Sequence, residues 1–466
     1  MFDEEEDLSN EQQLNADVER FEAHLFGNQL GFIDSDRMEG IIDHYFSKGE
    51  FSKAKRASEL AYTNFPFQHL FKLRIIQCLC GEKNFKDALT QMQLLNKDQL
   101  PSFEVNVTYA SLYHQMGNTK KAIAFWFKAL EEADDEEKVE IYHDISLAYQ
   151  QINDFDACIA LLEKALEQFP EVESLLYELG FMYDRLDRHT DAVRCYLSYI
   201  DENPYASMAW YNLGNSYSKN EDYDKAIWAY DYCLLIFDEF SPAHFNLGNA
   251  YLTSGKVHQA IDCFNRVLEL EGDDPMALCY LGEAHEQLKE FEIAINYYRL
   301  CLEIQPDIHE AWLGLGIIKD LQGDTREAIT LLRKAQAISP DNASVNLVLA
   351  NAYHKLEQRE EAEFYYLRSL SLDFDDPEAL QDYTFFLLED SPLVALNYLQ
   401  ENQQDVEFND YYFALLTHVL VHLGRNEDAL LLFAGLVESD KQIAQLLLEW
   451  NPKLKFHKDF INLLND

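Results

Sequence analysis

Apolar residues in this chain fall into two helical stripes that return every thirty-four residues. In each period, positions four, seven, eight and eleven form one stripe. Positions twenty, twenty-four and twenty-seven form a second, and the residues between the stripes are polar. Spacings of three and four residues mark amphipathic helices, so each period predicts two helices joined by a turn. Position eight is glycine at Gly180, Gly214, Gly248, Gly282 and Gly316, and Ala350 takes the next step. Position twenty is alanine at Ala192, Ala226, Ala260, Ala294, Ala328 and Ala362. Position seven is leucine in the same six units, from Leu179 to Leu349, and position eleven is tyrosine at Tyr183, Tyr217, Tyr251 and Tyr353. Position twenty-four is large, as in Tyr196, Tyr230, Phe264 and Tyr298. Small residues at eight and twenty let two helices approach closely. The large residue at twenty-four is expected to fill space against the following unit. A supersecondary unit repeated at this length signals a stacked-repeat fold.

The frame extends in both directions. Units begin at Ser35, His69, Phe103, Val139, Glu173, Ser207, Ser241, Pro275, His309, Ala343, Pro377 and Asp410, with a two-residue insertion in Glu131 to Glu137 and one residue lost near Pro392. Prolines at Pro66, Pro170, Pro204, Pro306 and Pro340 share position thirty-two, where a second helix must end. Ser241-Pro242, Asp274-Pro275 and Asp376-Pro377 place a capping residue before a first-turn proline. Three regions follow. Residues 1–34 hold an acidic tail, mobile over 1–17, and a capping helix carrying Val18, Phe21, Leu25 and Phe26. Residues 35–443 are the repeats. Residues 444–466 read as a closing helix interrupted at Asn451-Pro452.

The tryptophan-x-x-leucine-glycine-x-x-tyrosine run, followed by alanine, an aromatic and proline, resembles the tetratricopeptide repeat. The likeness is strongest from Glu173 to Asp376, while Ile42, Ile76, Ser146 and Cys158 depart from the pattern in the outer units. The resemblance implies an all-α fold: a right-handed superhelical α-solenoid of about twelve helix-turn-helix units. It also implies that first helices line a concave groove and touch ligands through positions two, five, six, nine, twelve and thirteen. Those positions give Tyr177 and Phe181, then Met208, Tyr211, Asn212 and Asn215, then Phe245, Asn246 and Asn249, then Tyr280. Asp184, Arg185, Lys219, Met276, Cys279, Glu283 and Glu286 occupy further slots. Asn212 and Asn246 are one period apart, as are Asn215 and Asn249. An amide can donate to and accept from a peptide group at once, so this ladder suits an extended backbone. The alternative use of such amides is local, holding helix to helix.

Charge narrows the partner. Lys+Arg total 37 against 83 Asp+Glu, a formal net charge of −46. Such a surface repels nucleic acid and anionic membranes and attracts basic segments, besides keeping a long chain soluble. The lysine and arginine clamp that family members use for acidic chaperone tails is missing. The slots hold Glu39, Asp43, Glu104, Asp144, Glu178, Glu283, Glu310 and Glu378, and Arg74 alone is basic. An acidic amino-terminal stretch and no apolar run of membrane-spanning length point to a cytoplasmic protein.

Catalytic and metal signals are weak. Cys78 and Cys80 form a C-x-C with no second pair nearby, and the other six cysteines sit singly at packing positions. His418 and His422 are four apart, without a glutamate between them or a third ligand. Phosphate-loop and nucleophile-elbow motifs are absent from the sequence. The sequence therefore predicts no enzyme, cofactor or metal site. It predicts a scaffold whose groove holds a peptide segment or helix of a partner protein. The alternative is a regulatory or adaptor subunit that changes superhelix pitch on binding.

Overall fold

The computed structural model describes residues 2–27, 31–95, 100–402 and 410–465. The described residues form α-helices, one 3-10 turn at Pro452–Phe456 and no strand. Twelve successive helix pairs run from Ser35–Ser47 with Phe51–Asn64 to Asp410–His422 with Asn426–Ser439. First helices begin at Ser35, Glu173, Ser207, Ser241, Pro275, His309, Ala343, Pro377 and Asp410, as the frame predicts, and within one residue of it at Leu70 and Ser102. The exception is the insertion. There the helix starts at Asp135 and runs 17 residues to Gln151. Asp134 and Glu137 cap it reciprocally, each side chain accepting from the other's backbone N–H at 2.9 Å. The extra residues thus become another helical turn.

The chain divides into two compact units, residues 1–221 and 222–466. In the first, the helix Phe2–Leu25 runs through the stretch expected to be a mobile tail. No proline or glycine interrupts the sequence before Gly27, whose φ of +99° ends the helix. Phe21 is buried on the Ser35 unit, its ring 5.8 Å from Tyr45. The buried Asp17 carboxylate accepts from Arg37 Nε at 2.7 Å and is held below the ordinary carboxylate range, its hydrogen bonds to Arg37 and Gln13 outweighing burial. Phe26, expected in the cap, is exposed.

In the second unit the closing segment is two helices, Lys441–Trp450 and Lys458–Asn465. Pro452 has no N–H to continue the first, so the chain turns there. Leu447 and Phe460 are fully buried, and the Phe460 ring lies 5.0 Å from that of Phe433.

The glycine at position eight has a specific neighbour. A Cβ on Gly180 would meet the Tyr196 ring at 2.8 Å, one on Gly248 the Phe264 ring at 2.8 Å, and one on Gly282 the Tyr298 ring at 2.6 Å. Each ring comes from position twenty-four of the same unit. The side chain expected to fill space against the next unit thus also rests on its own unit's glycine. Tyr298 does both, because a Cβ on Gly314 in the following unit would also overlap its ring.

Position four closes the turn from the preceding unit. Trp210 Nε1 donates to Pro204 O at 2.9 Å, and Trp312 Nε1 donates to Pro306 O at 2.9 Å. In the Ala343 unit the fully buried Asn346 replaces tryptophan, and its amide donates to Pro340 O at 3.3 Å.

Candidate functional site

The first-helix faces carry the residues singled out above, and each compact unit presents its own set. In the first unit, Phe181 is 42% and Met208 43% exposed, while Tyr177, Tyr211, Asn212 and Asn215 are half-buried. Tyr177 is held edge-on between Tyr196 at 6.2 Å and Tyr199 at 6.3 Å. Leu147 stands at position nine of the preceding repeat and is 54% exposed. It and Phe181 are position-nine neighbours in consecutive repeats. The family positions contained this signal, but a lone leucine in a unit lacking the glycine did not stand out.

Carboxylates flank these side chains. Glu178 accepts from His143 Nδ1 at 2.7 Å, and His143 Nε2 meets Ser174 Oγ at 2.8 Å, joining two repeats. That hydrogen bond to Glu178 pushes His143 up from its ordinary value. Burial pushes Asp144 and Glu39 up. Asp184 proves to be structural. It accepts from Ser216 Oγ at 2.9 Å and pairs with His189 Nδ1 at 2.9 Å.

Three repeats of the same unit line a cavity of about 270 Å³, with Phe46, Arg74, Gln77, Cys80, Thr108 and Ser111 among its lining residues. Arg74 reaches Asp43 at 3.2 Å and donates to Gln77 at 3.1 Å, and Gln77 donates to Thr108 at 3.1 Å. The one basic residue in the clamp slots is thus tied to acids and amides of its own face. Burial pushes the Cys78 thiol to about 12 and the Cys80 thiol to about 11, so both stay protonated at neutral pH.

In the second unit, Phe245, Asn246, Asn249 and Tyr280 are half-buried. Phe245 and Tyr280 meet edge to face at 5.4 Å, and Tyr280 stacks on Phe264 at 5.4 Å. Half of each ring therefore serves packing between repeats. Position nine also has an internal use here. Asn351 donates to Asp382 of the next repeat at 2.7 Å and accepts from Tyr366 Oη at 2.5 Å. Asn249 holds the same position, but its ring neighbour is Phe264, which has no hydroxyl. Its Oδ1 is buried without a donor. Glu283 is pushed up by burial, and Glu286, which accepts from Tyr298 Oη at 2.8 Å, is pushed up by burial to about 7.

A cavity of about 310 Å³ opens beside two of these residues, lined by Ser241, Pro242, Phe245, Asn246, Val267, Glu271, Asp274 and Met276. Gly272 adjoins the lining residue Glu271. Five repeats carry proline at position thirty-two, and this one carries glycine at φ +84° and ψ −142°. The second helix here runs 15 residues to Glu271, one more than Phe291–Ile304 and one more than Tyr223–Ile236, whose repeat also lacks the proline, and Gly272 ends it in the left-handed region.

His418 and His422 lie in the second unit with ring centroids 4.7 Å apart. His418 is buried against Phe385 at 5.2 Å, and burial pushes it down to about 4. No group of three or more metal-ligating side chains occurs among the described residues. None of the described helices is long and apolar enough to cross a membrane.

Tetratricopeptide repeat profiles match residues 143–207, 195–227, 241–274, 275–308 and 321–381. The chain is a tetratricopeptide repeat protein. Solved structures similar to this repeat protein include the Cut9–Hcn1 hetero-tetramer of the APC/C, at 15% identity and a TM-score of 0.45, covering 89% of this chain and 95% of that one. A second is YrrB, described as having an unusual peptide-binding site, at 21% identity and a TM-score of 0.30, covering 40% and 97%. A third is a thermophilic repeat protein from Thermus thermophilus, at 21% identity and a TM-score of 0.36, covering 39% and 100%. No curated protein matches the chain significantly.

Proposed function

We propose that this chain is a non-catalytic scaffold that holds a basic peptide segment or helix of a partner protein on its first-helix faces. The observation that carries this reading is the exposed pair Leu147 and Phe181 at position nine of consecutive repeats. Interior positions of the same helices are packed, yet these two large apolar side chains face solvent beside Asp144 and Glu178. Apolar anchors with an acidic surround suit an amphipathic basic segment. Tyr177, Met208, Tyr211, Asn212 and Asn215 extend that surface in the first unit. Phe245, Asn246, Asn249 and Tyr280 form the corresponding surface in the second. The amides supply hydrogen bonds to a partner's backbone, and the net charge of −46 steers its approach.

Affinity capture from lysate with the wild-type chain and with Leu147→Ala plus Phe181→Ala tests this. The expected result is a partner retained by the wild type, lost by the variant, and bound more weakly as salt rises. A partner held equally by both chains at every salt concentration would overturn it.

A further inference from the structure

We infer that the cavity beside Phe245 receives a lysine or arginine side chain of the partner. This rests on the scaffold reading and adds the chemistry of one subsite, within the second compact unit alone. At about 310 Å³ the cavity lies at the small end of ligand sites, so it fits one long side chain rather than a helix. Half of its lining is apolar: Phe245, Val267, Met276 and Pro242. The same lining carries two carboxylates, Glu271 and Asp274, and the Asn246 amide. A lysine or arginine has a matching division, with an apolar stem below a charged head that seeks water or a carboxylate.

The acidic part of the lining is uncompensated. Neither Glu271 nor Asp274 is ion-paired among the described residues, and Arg266 on the same helix is taken by Glu269 at 2.8 Å. Asp274 uses one oxygen to cap the next helix, accepting from Ala277 N at 2.7 Å. Gly272 follows Glu271 and ends the helix there at φ +84°. The repeat departs from its own pattern at the place where the cavity opens.

The full chain labelled with carbon-13 at the methionine methyls provides the test, because Met276 lines the cavity and its signal is identified by loss in Met276→Leu. The probes are N-acetyl-arginine N-methylamide and its neutral citrulline counterpart. The expected result is a saturable Met276 shift with the arginine probe and at least tenfold weaker binding of the citrulline probe. Glu271→Gln plus Asp274→Asn, which keeps a capping residue, should weaken the arginine probe at least tenfold with an unchanged circular dichroism spectrum. Equal binding of the two probes, no Met276 shift, or full binding to the variant would overturn the assignment. If this variant still captures the lysate partner at full strength, the scaffold reading stands and the subsite falls. If the wild type captures no partner, the scaffold reading falls, and the methionine titration still decides the subsite.

Discussion

Gly282→Ala probes the packing rule that builds every repeat. In an open helix this change stabilises by about 1 kcal/mol, because alanine is the better helix former. Here the new Cβ would sit 2.6 Å from two Tyr298 ring carbons, against an ordinary contact of 3.4–4 Å. The ring would have to retreat by several tenths of an ångström. It is pinned at its far end by the 2.8 Å hydrogen bond to Glu286 and at its side by Gly314. Overpacking of this kind costs about 1–3 kcal/mol, and a pinned ring belongs near the top of that range. The net expectation is destabilisation by about 2 kcal/mol, or roughly thirtyfold more local opening. In a stacked-repeat protein the loss stays near the altered unit, so a global melting curve would dilute it. Amide hydrogen exchange over Pro275–Gln287 and Phe291–Ile304 reads it directly. In a Tyr298→Phe background the pin is gone, and the penalty should shrink by about 0.5–1 kcal/mol in a double-mutant cycle. Unchanged or increased protection in Gly282→Ala would mean that the Tyr298 ring yields without cost.

Other outcomes follow from single groups. His418 is pushed down to about 4, so below about 6.5 the unfolded chain takes a proton that the folded one refuses. Stability of the carboxy-terminal helices should fall as pH drops from about 6.5 to about 4, by up to roughly 3 kcal/mol; exchange at pH 7 and pH 5 measures it, and an identical slope in His418→Phe would exclude this residue as the cause. Phe264→Tyr gives the orphaned Asn249 Oδ1 the donor that Tyr366 supplies to Asn351, and should raise local stability by about 1 kcal/mol; increased exchange in Ser241–Thr253 would mean the hydroxyl does not reach. Asn212→Ala plus Asn246→Ala should weaken partner binding at least tenfold while leaving circular dichroism unchanged; full binding would assign both amides to packing.

Much of the fold was legible because a helix pair is a local device. Periodic leucines, glycines and alanines mark its buried stripe, and prolines with capping residues mark its ends. Ser241–Thr253 and Pro275–Gln287 begin where the spacing puts them. The neighbours of each side chain were less legible. Spacing shows that Tyr298 faces inward, but not that its ring rests on Gly282. Position nine shows the limit for the site. Phe181 is exposed there, whereas Asn351 turns to Asp382 of the next repeat. A position number gives a direction from the helix, and the neighbouring repeat decides whether that direction meets solvent. The extra residue before Gly272 was equally hidden, since nothing in the period marks the repeat whose second helix runs one residue longer.

Photo-crosslinking shows which helix face holds the partner. A benzoylphenylalanine at Phe181, on a first helix, is compared with one at Phe127, which is 38% exposed on the second helix Thr119–Leu130 of the same compact unit. The Phe181 probe is expected to crosslink one partner through a lysine- and arginine-rich segment, and the Phe127 probe not to reach that segment. Crosslinks from Phe127 alone, or from Phe181 to an acidic segment, would contradict it.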